Sequence, residues 1–207
     1  MKPSKNILTI RQQCCVSIAA LFAVNRRREA SLQLKKFLSV SAFSTLFLEE
    51  LFFHLSLVLG FPAMLEGLEF VRTIRPDPKF FRSKKHSGNS AEGKKILSRI
   101  YGDQTGKLLR NIGAIHKDAR SIIVHDVYGK VFSRPGLTLR ERELINVAVL
   151  AIQGLDRQLY SHLRGCLRIG IKPDAIREAL SLAQRMSKRR MRTAERLLQS
   201  VVSQRKK

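Results

Sequence analysis

Apolar residues recur along this chain at three- and four-residue spacing, and no stretch alternates apolar with polar between hairpin turns. The pattern predicts an all-α protein. The sharpest helix boundaries lie in the second half. Thr138-Leu-Arg-Glu141 reads as a capping box, and the helix it starts should run over Leu139–Gln153 and stop at Gly154. Val147–Ile152 is apolar on every face and should be fully buried. A second helix is predicted from about Asp156 to Ile169, ending at Gly170, and a third from Pro173, a residue suited to the first helical position. The short connections predict that the first two form an antiparallel hairpin. Arg134-Pro-Gly136 is a turn, and Arg75-Pro-Asp-Pro78 followed by Ser83–Gly93 has the composition of a linker.

The pattern also repeats. Residues 8–71 slide onto 137–200 without a gap, a shift of 129. Leu8, Thr9, Arg11, Ala19, Leu21, Arg28, Glu49, Leu51, Glu66 and Leu68 then meet identical residues. This predicts a helical bundle built from two weakly similar repeats. The expected division is 1–75 for the first repeat, 76–95 for a linker, 96–184 for the second repeat and 185–207 for a basic helix or tail.

Two apolar runs test for membrane or export segments. Cys14–Val24 follows Lys2, Lys5 and Arg11 as in a short secretory signal, but Arg26-Arg27-Arg28 comes next with no small-residue cleavage site. At about eleven residues it is too short to span a bilayer. Phe43–Leu65 carries Glu49, Glu50 and His54, with Glu66 just beyond. Both runs are expected to be buried helices, with no membrane partner. Cys14, Cys15 and Cys166 form no Cys-x-x-Cys and no zinc spacing. The expectation is a reducing cytoplasm and no metal.

Charge changes the picture next. With 39 Lys and Arg against 16 Asp and Glu, the chain carries a net charge of +23 and should attract polyanions. Residues 185–207 concentrate this, with Glu195 their single acid. They hold no Tyr, Phe or Trp, so contact there would be phosphate-driven, sequence-independent and salt-sensitive. A basic, partly solvated helix face accounts for the same composition.

Glu143 and His162 are the candidate acid–base residues. Antiparallel packing of the two predicted helices could bring them within direct or water-bridged reach, and a carboxylate beside an imidazole raises its basicity. Equally, Glu143 could pair with Arg140 or Arg142, and His162 could be a satisfied core residue. His162 and Cys166, four apart, share a helix face.

Residues 99–180 resemble the carboxymuconolactone decarboxylase family, which also contains the alkyl hydroperoxidase D-type enzymes. The likeness rests on Tyr128-Gly-Lys-Val-Phe-Ser-Arg-Pro-Gly-Leu137 and Arg140-Glu-Arg-Glu143. It continues through Gly154, Gln158-Leu-Tyr-Ser-His162-Leu-Arg-Gly, Gly170 and Pro173-Asp-Ala-Ile-Arg-Glu178. In the first repeat, Leu57-Val-Leu-Gly-Phe-Pro-Ala-Met64 resembles the family's closing-helix motif, so the chain is similar to double-domain members. The resemblance implies an all-helical fold, a homo-oligomer, no cofactor, and His162 at the acid–base position of the decarboxylase branch. It implies a small carboxylate substrate, for which Arg134, Arg140 and Arg164 are candidate clamps because guanidinium binds carboxylate bidentately.

The peroxidase branch places two cysteines where this chain has Leu155 and Gln158, so thiol peroxidase chemistry lacks both its thiols. Cys166 is then a small core residue. The first repeat has Cys14 and Gln33 opposite Glu143 and His162 and should be inert. The second repeat reads Arg185-Met-Ser-Lys-Arg-Arg-Met-Arg192 where the pocket-walling Gly-Phe-Pro motif would fall. Three functions follow from these residues: a decarboxylase-like lyase using Glu143 and His162, a non-catalytic helical scaffold, and a redox protein. The missing Cys-x-x-Cys argues against the last.

Overall fold

The structure, a computed structural model, describes residues 7–76 and 88–205. Its regular elements are all helical; there is no strand among the described residues. In chain order they are α1 (Ile10–Ala23), α2 (Arg27–Val40), α3 (Thr45–Ile74), α4 (Ser90–Tyr101), α5 (Thr105–Ile115) and α6 (Lys117–Ile122). A π-helix (Ile123–Phe132) follows, then α7 (Leu139–Gln153), α8 (Asp156–Arg168), α9 (Pro173–Ser187) and α10 (Arg192–Arg205). The chain divides into two compact units. One joins both ends, Met1–Phe43 with Arg140–Lys207; the other is Ser44–Leu139.

In the first unit, α1 packs on α2 and α9, and α10 packs on α8 and α9. Its core includes Val16, Ala20, Leu144, Val147, Ala148, Leu163, Ile176 and Leu198. Local chemistry sets the ends of these helices. Thr9 Oγ1 accepts from the Gln12 amide at 3.2 Å while Gln12 Oε1 accepts from the Thr9 amide at 3.0 Å, a complete capping box. α1 ends at Asn25, whose φ of 59° lets the Arg26 amide reach back to the Leu21 carbonyl at 2.9 Å. α7 ends the same way at Gly154 (φ 70°), with the Leu155 amide on the Leu150 carbonyl at 3.0 Å. α8 closes at Gly170 (φ 82°), with the Ile171 amide on the Cys166 carbonyl at 2.9 Å. Each is a six-to-one closure that satisfies an orphan carbonyl. Pro173 occupies the start of α9.

Under the shift of 129, α1 falls on 139–152 and α2 on 156–169, within a residue of the observed α7 and α8. The break in α3 at Gly60 falls at 189, inside the gap between α9 and α10.

In the second unit, α3 is one helix by hydrogen bonding but kinks at Gly60 (φ 83°, ψ 172°), a backbone state that glycine tolerates, and Pro62 then begins the second segment. By length and composition α3 could cross a membrane. Its two segments, 45–59 and 61–74, each fall short of the ~20 residues a span needs. The first also buries Glu49, Glu50 and His54. α4 crosses the π-helix at two glycines: a Cβ on Gly93 would stand 1.9 Å from the Val124 carbonyl oxygen, and one on Gly129 would stand 2.5 Å from that of Asn89. Periodicity did not foretell the π-helix; its wider turn differs from α-helix by hydrogen-bond register, which apolar spacing over ten residues does not encode.

Of the stretch with linker composition, residues 77–87 lie outside the described residues. Its end, Ser90–Gly93, is already helical, because Asn89 Oδ1 accepts from the Glu92 amide at 3.0 Å and starts α4 there. The basic C-terminal segment is likewise a docked helix: Ala194, Leu198 and Val201 of α10 are buried. Tyr160 Oη donates to Gln204 at 2.7 Å, and Arg205 donates to the Leu167 carbonyl at 2.6 Å near the end of α8.

Candidate active site

α7 is buried on every side from Glu141 to Leu150, so the polar residues within it, Glu141, Arg142, Glu143 and Asn146, are shielded from solvent. Glu141 is 3% exposed; it meets the Arg11 guanidinium, which donates through Nε at 2.8 Å and Nη2 at 3.2 Å. The fork geometry of arginine draws the Glu141 carboxylate toward α1. Glu141 also helps hold the Arg11 guanidinium above its ordinary pKa, through the hydrogen bond first and charge second.

Two residues further, Glu143 is completely buried, and its Oε2 lies 2.9 Å from His162 Nδ1 on α8. Asn146 Nδ2 stands 3.4 Å from the same nitrogen, at the outer limit of a hydrogen bond. A carboxylate oxygen only accepts, so an Nδ1–H donor fits the 2.9 Å contact, with Nε2 as the ring's other nitrogen. The imidazole keeps 17% of its surface while the carboxylate has none. The second carboxylate oxygen, Glu143 Oε1, is buried with no hydrogen-bond partner among the described residues. An acceptor in that state costs about 1–3 kcal/mol, more when charged.

The pairing of Glu143 with His162, rather than with Arg140 or Arg142, follows from direction. Arg140 points outward: it is exposed, and a Cβ placed on Gly170 would lie 3.2 Å from its Nη2. Arg142 is on α7 itself and has the largest fully buried side chain among the described residues. Arg164 is exposed on α8, its guanidinium 5.9 Å from the Tyr160 ring centroid. Arg134 belongs to the other unit. There it donates to Glu50 through Nε at 2.8 and 3.1 Å, and lies 4.1 Å over the Phe53 ring. The geometry therefore brings Glu143 and His162 together, keeps Arg140 and Arg164 solvated, and occupies Arg134 with a carboxylate of its own unit.

Asn146 is the member that sequence reading missed. Its signal was the three-residue spacing from Glu143, which puts both on one face of α7. A second polar cluster also went unforeseen: Glu49 (5% exposed), Glu50 and His54 (both fully buried) on α3, with the His54 ring edge-on to Phe132 at 5.0 Å. Burial first, and then the neighbouring Glu50 charge, holds the Glu49 carboxyl above its ordinary value.

The cysteines behave as core. Cys14, Cys15 and Cys166 are free and fully buried. Burial pushes each thiol up, and for Cys166 the Glu143 charge adds to it. A thiol so placed is a poor nucleophile. No group of three or more His, Cys, Asp or Glu that could hold a metal occurs among the described residues.

Comparison with known proteins meets this geometry from the other side. The sequence profile of the carboxymuconolactone decarboxylase family matches residues 123–199, which take in Glu143, Asn146 and His162. The 4-carboxymuconolactone decarboxylase of Acinetobacter baylyi is 30% identical over 90 residues, 43% of this chain and 67% of that protein. Peroxisomal protein 2 of Schizosaccharomyces pombe is 29% identical over 136 residues, 63% of this chain and 64% of its own length. The nitrosuccinic acid decarboxylase of Metarhizium robertsii is 29% identical over 90 residues, 43% of this chain and 63% of that protein. The chain thus spans about two thirds of the length of each relative. A profile match centred on the α7–α8 pair, and a relative at 30% identity over two thirds of its length, show that the chain belongs to the carboxymuconolactone decarboxylase family.

Proposed function

We propose that the protein is an acid–base lyase that decarboxylates a small carboxylated lactone or a related carboxylate, with Glu143 and His162 as its catalytic pair. The observation that carries this reading is the 2.9 Å contact between His162 Nδ1 and a completely buried Glu143 carboxylate. In the proposed step the bond between carbon and the substrate carboxylate breaks and carbon dioxide leaves. The electron pair passes into the substrate's conjugated acceptor, the lactone carbonyl through its double bond or, in nitrosuccinate, the nitro group, and His162 Nε2–H returns a proton to carbon. Glu143 stabilises the imidazolium before transfer and keeps its tautomer afterwards. Two relatives are named as decarboxylases, which supports the same reaction class here. Arg140 and Arg164, solvated on the same unit, are the candidate carboxylate clamps.

The second reading is a scaffold member of the family that assembles as a homo-oligomer. Its support is exposed apolar surface on α3, where Phe61 is 71% and Leu65 is 60% exposed. The two-repeat division at 1–75, 76–95, 96–184 and 185–207 belongs to the proposal too, supported by the matching helix bounds under the shift of 129. A reducing, cytoplasmic setting fits three buried free thiols.

The test is turnover by the purified chain. Carbon dioxide release is followed from carboxymuconolactone and from nitrosuccinate, with an organic peroxide and a dithiol as a third arm. Decarboxylation that disappears in His162→Ala carries the lyase reading. Peroxide turnover, or decarboxylation that His162→Ala leaves intact, overturns the assignment.

A further inference from the structure

The strongest surface feature outside the acid–base pair is made from two basic runs more than 150 residues apart in the chain, Arg26–Arg28 and Lys188–Arg192. The fold of the first unit brings them together. Arg26 Nη1 donates to the Met186 carbonyl at 2.8 Å, two residues before Lys188. Glu29, the single acid of the first run's helical turn, is held below its ordinary value by its own backbone amide and Arg26, with Lys188 near enough to contribute. Its carboxylate is already engaged by Arg26 at 2.9 Å, so it does not neutralise the rest. Lys188 takes a left-handed backbone (φ 58°) that ends α9. Arg28, Lys188, Arg190 and Arg192 are all exposed.

We propose that this surface binds the phosphodiester backbone of double-stranded nucleic acid, without reading its sequence. The composition of the surface selects this partner. Guanidinium groups dominate it, and these match phosphate oxygens bidentately. It offers no exposed aromatic ring on which a single strand could stack. The apolar residue of the loop, Met191, is buried at 8% exposure, so nothing there would insert into a lipid surface. The site is not the C-terminal segment as a whole: Arg205 is spent on the Leu167 carbonyl and one face of α10 on the core. Like-charged side chains gathered by the fold form a patch whose field exceeds that of either run.

The experiment is fluorescence anisotropy of the full chain with a labelled random-sequence 20-base-pair duplex. Vesicles containing phosphatidylserine are tested by sedimentation alongside. Four phosphate contacts predict that raising salt from 50 to 200 mM weakens duplex binding about 100-fold. Arg28→Glu with Arg190→Glu, one residue from each run, should weaken it at least about tenfold. Lys94→Glu with Lys95→Glu makes the same change in net charge on exposed residues of α4 and should leave binding within about twofold. Circular dichroism and melting establish that both variants are folded. Equal losses in the two double variants would mean bulk charge and overturn the proposal. So would absent duplex binding at 50 mM salt, or vesicle binding without duplex binding.

Discussion

The α1–α2 and α7–α8 helix pairs are built alike and hold different side chains at matching positions. Each first helix follows a threonine, Thr9 or Thr138, with an amide or carboxylate side chain three residues on. Each ends in a left-handed residue, Asn25 or Gly154, with a six-to-one closure behind it. Within that shared frame, one pair holds Glu143 against His162, and the other has Cys14 and Gln33 at the same register. Caps and reversals are local and survive substitution inside the helix. The acid–base pair needs two particular side chains at two positions.

The largest effect should come from breaking the proposed catalytic pair. Glu143→Gln and His162→Ala should each lower decarboxylase kcat by about 10²- to 10⁴-fold, measured as carbon dioxide release on the responsive substrate. Cys14→Ser and Gln33→Ala should leave kcat within about twofold. A large loss from the second set would end the contrast between the two helix pairs.

Packing comes next. Gly93→Ala drives a methyl to within 1.9 Å of the Val124 carbonyl oxygen, and backbone cannot yield as a side-chain tip can. It should destabilise the protein by about 3 kcal/mol, read as a lower midpoint in urea. At Gly154 an added Cβ meets nothing within 4 Å, so Gly154→Ala bears only the strain of its positive φ, about 1 kcal/mol.

A pH-dependent effect on stability is expected at Glu49. Its carboxyl in the folded protein titrates above the ordinary value of 4.5, from burial and then Glu50. The folded state thus holds its proton where the unfolded chain has lost it, and stability falls as pH rises from the ordinary value through the raised one. Glu49→Gln should remove that fall, so the variant should gain on wild type at pH 7 and not at pH 4. Thermal melts across that range measure it.

The smallest effect concerns Cys166. Burial and the nearby Glu143 hold its thiol well above the ordinary range. Iodoacetamide should leave it unmodified at pH 8 in the native protein and label it on unfolding, and Cys166→Ala should change turnover less than about twofold. Native labelling would revive the redox reading.

Much of the fold was legible because its signals are local. Thr138, Gly154, Gly170 and Pro173 mark helix ends through contacts within a few residues, and α7, α8 and α9 begin or end there. The apolar run Val147–Ile152 announced a buried helix without reference to any partner. Less of the candidate site was legible. Spacing nominated Glu143 and His162, but the 2.9 Å contact, the orphan Oε1 and the place of Asn146 depend on how α8 lies against α7.

The sequence by itself determined the helical class, the reversal points, and the absence of the cysteine pair that peroxidase chemistry needs. Only the tertiary structure decided which charges are engaged and which are exposed. Arg134 met Glu50, Glu141 met Arg11, and Arg26 carried one basic run to another more than 150 residues away. The physical reason is range: caps and periodicity act through bonds between neighbours in the chain, whereas a salt bridge or a charged patch depends on distance in space.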